Sequence, residues 1–269
     1  MELTPLAGIA AAALYLISSV LVLLPVRRGE RIERKSRVLL PAVAGAVVHL
    51  ALAMHGIVAV DALNLDFMNA LTLTAWLMVT LWLTLAFRRP VESLGIAVLP
   101  VAAATVLTGS FHNGAGAGTQ LELQTHVFFS VSAYGMLALS ALQAAVLSIQ
   151  SRQLHNHKPG GFIRALPPLS TMEQLLFSMI SAGFVLLTLA LLSGFMFLED
   201  MFAQHVVHKT VLSIAAWILF GILLYGRARY GWRGKRAVKW TISAFVLLLL
   251  AYFGSKFVME FLIGNPPAG

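Results

Sequence analysis

Eight histidines stand out as the residues of this 269-residue chain best suited to chemistry. A neutral imidazole leaves water at modest cost and ligates haem iron and other metals. His126, His205 and His208 sit near the starts of two long apolar runs, and the three-residue spacing of His205 and His208 puts them on one helical face. His49 lies inside another apolar run. His55 follows six residues later, about 120° round a helix, so the two do not easily share a ligand. His155 and His157 fall in a basic segment and read as solvated surface. His112 adjoins the glycine-rich stretch 113–118, where flexibility disfavours a fixed ligand. No nucleophile, base and orienting group occur together, which argues against a hydrolytic enzyme. With no cysteine present, disulfides, thiolate ligands and dithiol redox chemistry are excluded within the chain.

The elements that must position these histidines are transmembrane helices. Of the residues, 59% are hydrophobic and only 11% charged, too few charges to cover a water-facing surface, and the mean hydropathy is +0.84. A helix needs about 20 mostly apolar residues to cross the hydrocarbon core. Eight stretches qualify, at roughly 4–26, 38–60, 67–87, 91–110, 123–150, 175–198, 206–226 and 239–262. Their apolar runs are continuous rather than alternating, which favours helices over a barrel. The expected fold is therefore an all-α polytopic integral membrane protein, a bundle of about eight transmembrane helices forming a single domain over residues 1–269. The third span carries Asn69 and several threonines and is expected to face the bundle interior. The start Met1-Glu2-Leu3 lacks a basic n-region, so the first apolar run reads as an uncleaved helix. The loop 151–174, with Pro159-Gly160-Gly161 and Pro167-Pro168, could divide the chain four-plus-four or five-plus-three.

Charge supplies a direction. The net charge of +8 would suit nucleic acid, but 17 of the 19 basic residues fall in four clusters in alternate loops, at 27–37, 88–89, 152–164 and 227–239. Such loops are cytoplasmic by the positive-inside rule, which places both termini outside and argues against a nucleic-acid partner. A secondary role for the clusters is attraction to anionic lipid of the bilayer. Asp61, Asp66, Glu122, Glu199 and Asp200 mark the opposite side. The fifth and seventh spans then both start at the outer face, bringing His126 and His208 to one level, with His205 as an alternative ligand. A helix N-terminus also favours the neutral ring. His49 lies about 16 Å along its helix, near the bilayer midplane, where an ionisable group marks a functional position or bonds a neighbouring helix. Lys209 and Lys256 depart from the inside rule. They either snorkel, with Lys256 pairing Glu260 one turn on, or hold an anionic group such as a haem propionate.

The order of these features resembles the cytochrome c assembly family of CcsA, CcmC and HemX type, and most closely its short YpjD-like branch. His49 followed by "DFMNALTLTAWLMV" is similar to that family's membrane histidine and the next helix. "LQTHVFFSVSAYGMLALSALQAAVLSI", containing His126, is similar to its outer histidine and the helix after it. "LLFSMISAGFVLLTLALLSGFMF" resembles the helix leading to the haem-handling loop. "HKTVLSIAAWILFGILLYGR", "GWRGKRA" and "LAYFGSKFV" resemble the last two helices. The resemblance covers roughly residues 40–262 and implies haem handling in a bacterial inner (cytoplasmic) membrane, with haem as cofactor and apocytochrome c or other cytochrome biogenesis proteins as partners. The chain departs from it where a tryptophan-rich WWD loop is expected, since "LEDMFAQHVVHK" contains no tryptophan. The second outer histidine is missing from "FLIGNPPAG", and Tyr225 stands at the second membrane histidine. Only His49 and His126 carry over by motif, and His208 is a substitute ligand placed by topology. The departures favour haem binding, transport or regulation of haem supply over full ligation to cytochromes. The alternative is a transporter or ion-homeostasis protein with His49, Lys256 and Glu260 along a pathway. A haem electron-transfer protein would need two stacked bis-histidine sites, which His49 and His55 do not provide.

Overall fold

A computed structural model describes residues 3–30, 32, 34–57, 63–64, 67–112, 118–119, 121–156, 161–197 and 207–251. The helices are α1 (Leu3–Arg28), α2 (Lys35–Ile57), α3 (Phe67–Arg88), α4 (Gly95–Ser110, entered through a 3-10 turn at Glu92–Leu94), α5 (Leu121–His155), α6 (Gly161–Ala165), α7 (Leu169–Phe197), α8 (Val207–Tyr230) and α9 (Gly234–Leu249). Among the described residues, α1 to α5, α7 and α8 are long and apolar enough to cross a membrane. They match the first seven expected spans. The eighth, at 239–262, is helical through Leu249, and its residues past 251 lie outside those described. The chain is a polytopic, essentially all-helical membrane protein. A two-residue antiparallel pairing sets Leu63 opposite Thr119 and Asn64 opposite Gly118, between the loops after α2 and α4.

Helix is the local answer because lipid offers no partners for backbone polar groups. Even the threonines of α3 turn inward on their own helix, with Thr74 and Thr80 hydroxyls donating to the carbonyls four residues back. Helix α1 stops at a glycine. Gly29 adopts φ 75°, its N–H bonds Val26 O, and Glu30 N–H bonds Pro25 O, a Schellman closure of α1.

Among the described residues, two large apolar clusters form most of the core, with a third, small one at Val22, Val26 and Val38. One joins α1 to α4, with Tyr15, Leu39, Trp82 and Leu99 fully buried; the other joins α5 to α9, around Leu137, Leu176, Ile180 and Phe220. Helices α5 and α7 pack along each other and contribute to both, through Met136, Leu139, Leu175 and Met179 on the first side. The third helix packs against α2, α4 and α5. At the end carrying the basic clusters, Lys35 ties the halves of the α1–α4 unit. It ion-pairs with Glu92 and donates to the carbonyls of Ala86 and Arg89.

Candidate functional site

The histidines occupy two separate places. His126 sits in the second turn of α5, facing α7. Its Nδ1 lies 2.9 Å from the carbonyl oxygen of Ala190 and 3.2 Å from Ser193 Oγ, and both partner residues are buried. A carbonyl can only accept, so Nδ1 carries the proton and Nε2 keeps its lone pair. The Ser130 hydroxyl, one turn along α5, approaches that lone pair at 3.4 Å. A ring anchored at one nitrogen by a backbone carbonyl, with the other left basic, is the arrangement of a metal-ligating histidine.

Packing of α8 on α7 sets the level of His208. Trp217 Nε1 bonds Thr188 Oγ1 at 2.9 Å, Phe184 stacks on Trp217, and Gly221 faces the Phe184 ring. This antiparallel register puts residue 208 level with residue 197, about 6 Å beyond Ser193 along the bundle. His208 is thus in the first turn of α8, one turn nearer the end of the bundle than His126. Its side chain lies outside the described residues, and His205 does so entirely. Lys209 is partly buried in the same turn of α8. Lys256 and Glu260 also fall outside the described residues. Among those described, no three His, Cys, Asp or Glu side chains group as a metal site.

His49 belongs to the α1–α4 unit, with no exposed area. Tyr15 of α1, equally buried, places its hydroxyl 3.0 Å from His49 Nδ1, the rings meeting edge-on at 5.8 Å between centroids. His49 lies against the Thr72 backbone of α3, and His49 Nε2 and Thr72 Oγ1 are both buried without a well-formed hydrogen bond. Thr72 also lines a cavity of about 640 Å³ at the end of the bundle away from the basic clusters, with His55, Asn69, Ser110 and His112. The floor of that cavity at Leu52 and Ala53 is one turn from His49. His55 and His112 are therefore exposed lining residues, and His155 is exposed at the basic end. Beside the cavity, glycines bring helices close to polar side chains. A Cβ on Gly109 would stand 2.6 Å from Thr72 Oγ1, and one on Gly8 would stand 2.3 Å from Ser110 Oγ.

Sequence reasoning missed Tyr15, Thr72 and Ser193. A usable signal existed for Tyr15, which with Ser18 and Ser19 interrupts the middle of the first apolar run. Nothing in the sequence singles out Ser193 or the Ala190 carbonyl, since a backbone acceptor has no residue type.

Inner membrane protein YpjD of Escherichia coli (strain K12) is 38% identical over 135 residues, which are 50% of this chain and 51% of that protein. Protein HemX of Brevibacillus brevis is 27% identical over 134 residues, 49% of each chain. Cytochrome c biogenesis protein CcsA of Chlamydomonas reinhardtii is 25% identical over 140 residues, 51% of this chain and 38% of that one. The matched stretch thus spans about half or less of each relative's length. No solved structure matches the chain. Residues 38–263, from the start of α2 and including both His49 and His126, match the family described as Cytochrome C assembly protein, and the chain belongs to that family.

Proposed function

We propose that the chain is a bacterial inner-membrane haem-handling protein of the cytochrome c biogenesis type, acting in haem binding, transport or regulation of supply at the outer face. One observation carries the reading: His126 is anchored through Nδ1 to the Ala190 carbonyl, which leaves Nε2 as a ligand atom. Haem, when bound, would supply an iron that imidazole nitrogen can ligate. His126 would hold it through Nε2. His208, in the first turn of α8, would be the second ligand, with His205 as the alternative. Lys209 beside it would offer a cation to a propionate. His49, anchored to Tyr15, forms a second haem-handling position within the membrane. Apocytochrome c and other biogenesis proteins are the partners at the outer face, in keeping with family membership.

The test is an absorption spectrum of purified protein after haem loading, wild type beside His126→Ala and His208→Ala. The expected result is a Soret band in wild type that is lost or shifted in each variant. A wild-type protein with no Soret band after loading would sink the proposal.

A second reading rests on a different observation, the two unpartnered buried atoms of His49 and Thr72 beside the polar cavity. A buried ionisable group one turn from the floor of a polar cavity suits a transport or ion-homeostasis pathway, on which Lys256 and Glu260 would also lie. Substrate-dependent flux lost in His49→Ala, in protein that takes up no haem, is its expected signature.

A further inference from the structure

At the basic end, α5, α7 and α9 line an open cavity of about 300 Å³ that the haem reading does not use, with Arg152, Lys235 and Lys239 exposed at its rim. Its polar lining converges from all three helices: Ser148, Ser151 and Arg152 late in α5, Glu173 early in α7, and Lys235 and Lys239 in the first two turns of α9. The Glu173 carboxylate is buried and engaged, accepting the Gly234 N–H at 2.9 Å where α9 begins. Three cations less that one carboxylate leave the lining with a formal charge of +2. An arginine fork, two ammonium groups and two hydroxyl donors are the set that recognises phosphate oxygens.

What surrounds the cavity favours an amphiphile over a soluble ion. One to two turns toward the middle of the membrane from the cations, α5 and α9 carry exposed apolar side chains. Ile149, three residues before Arg152 on α5, is 48% exposed; Ile242 and Val246, three and seven residues after Lys239 on α9, are 38% and 48% exposed. These spacings keep them on the faces of the cations themselves. Trp232 and Trp240, their rings 5.5 Å apart, stand at the same level, and exposed Tyr230 precedes them. Tryptophan and tyrosine gather at the membrane–water boundary, where lipid headgroups lie. A polar, positively charged cavity at headgroup depth with bare apolar flanks beneath it is the negative image of an anionic phospholipid.

We infer that the cavity between α5, α7 and α9 binds the phosphate-bearing headgroup of an anionic lipid, with the acyl chains lying along Ile149, Ile242 and Val246. Arg152, Lys235 and Lys239 hold the phosphate, while Glu173 keeps the start of α9 in place beside it. Basic pockets between transmembrane helices serve this purpose generally.

The experiment uses the full-length protein, delipidated in neutral detergent and titrated with phosphatidylglycerol, phosphatidylcholine or inorganic phosphate. Native mass spectrometry counts retained lipid, and thermal unfolding reads stabilisation. Phosphatidylglycerol is expected to be retained and to raise Tm, and phosphatidylcholine to do neither. The neutral variant Arg152→Gln/Lys235→Gln/Lys239→Gln should weaken phosphatidylglycerol binding roughly tenfold or more. The charge-keeping variant Arg152→Lys/Lys235→Arg/Lys239→Arg should retain most of it. If the triple neutral variant does not fold, Lys239→Gln alone must still weaken retention. Equal retention of both lipids, undiminished binding by the neutral variants, or a Tm rise from inorganic phosphate equal to that from the lipid would each overturn the proposal, the last assigning the cavity to a soluble anion.

Discussion

Tyr15 and His49 meet where neither side chain has any exposed area, and each is the other's hydrogen-bond partner. Removing one partner from such a pair leaves a buried polar atom stranded, whereas removing both leaves apolar contacts of similar shape. Tyr15→Phe is therefore expected to lower stability by about 1 kcal/mol, the scale of hydrogen bonds inside membrane bundles. The double variant Tyr15→Phe/His49→Leu should recover most of that loss. Thermal unfolding in one detergent reads both, and a double variant weaker than the sum of the single ones would contradict the pairing. Stability regained without function regained would mark His49 as a working residue. The two histidines were legible in the sequence because an imidazole in an apolar run is conspicuous by type and place. Their partners were not, because Tyr15 meets His49 through the register between α1 and α2, a non-local quantity, and the acceptor for His126 is a backbone atom.

At the level of helices, the α5–α7 pair carries both the join between the two core clusters and the anchor of His126. Gly183 makes the close approach possible. A Cβ there would stand 2.5 Å from Leu137 Cδ2 and 2.7 Å from its Cγ, and Leu137 has no exposed area into which to move. Gly183→Ala should cost about 1–3 kcal/mol through overpacking. It should also weaken haem uptake with His126 intact, because Ala190 lies two turns along the same interface. Gly221 is the contrast, since the nearest atoms to a Cβ there are 3.6 Å away on Phe184. Gly221→Ala should be neutral or stabilising by up to about 1 kcal/mol, and the pair of melting temperatures tests the packing directly. The spans were legible because apolar length is a local property. Their ends were less so. Helix α5 runs Leu121–His155 against the expected 123–150, and α7 begins at Leu169 rather than 175. Helices continue into the headgroup layer, where polar residues hide them from a hydropathy argument. The short α6, between glycine and proline pairs, reads as loop for the same reason.

For the whole molecule the open quantity is direction. Described helices alternate, so the basic segments around Arg28, Arg89, Arg152 and Tyr230 share one end, while His112 and His126 lie toward the other. Basic loops stay on the cytoplasmic side because translocating lysine and arginine is disfavoured, and 17 of the 19 basic residues fall in four sequence clusters, whose described members lie at this end. The haem site proposed at His126 requires that orientation, since delivery to a cytochrome outside would need His126 at the outer end. The absence of cysteine makes the test clean, because any introduced thiol is unique. Asn156→Cys after α5 and His112→Cys after α4 are both exposed positions, at opposite ends. A membrane-impermeant maleimide applied to intact spheroplasts should label His112→Cys and leave Asn156→Cys unlabelled until the membrane is opened. The reverse pattern would turn the molecule over. His126 would then face the cytoplasm, and with it would go export of haem to an outer cytochrome, although haem binding itself would stand on its own spectrum.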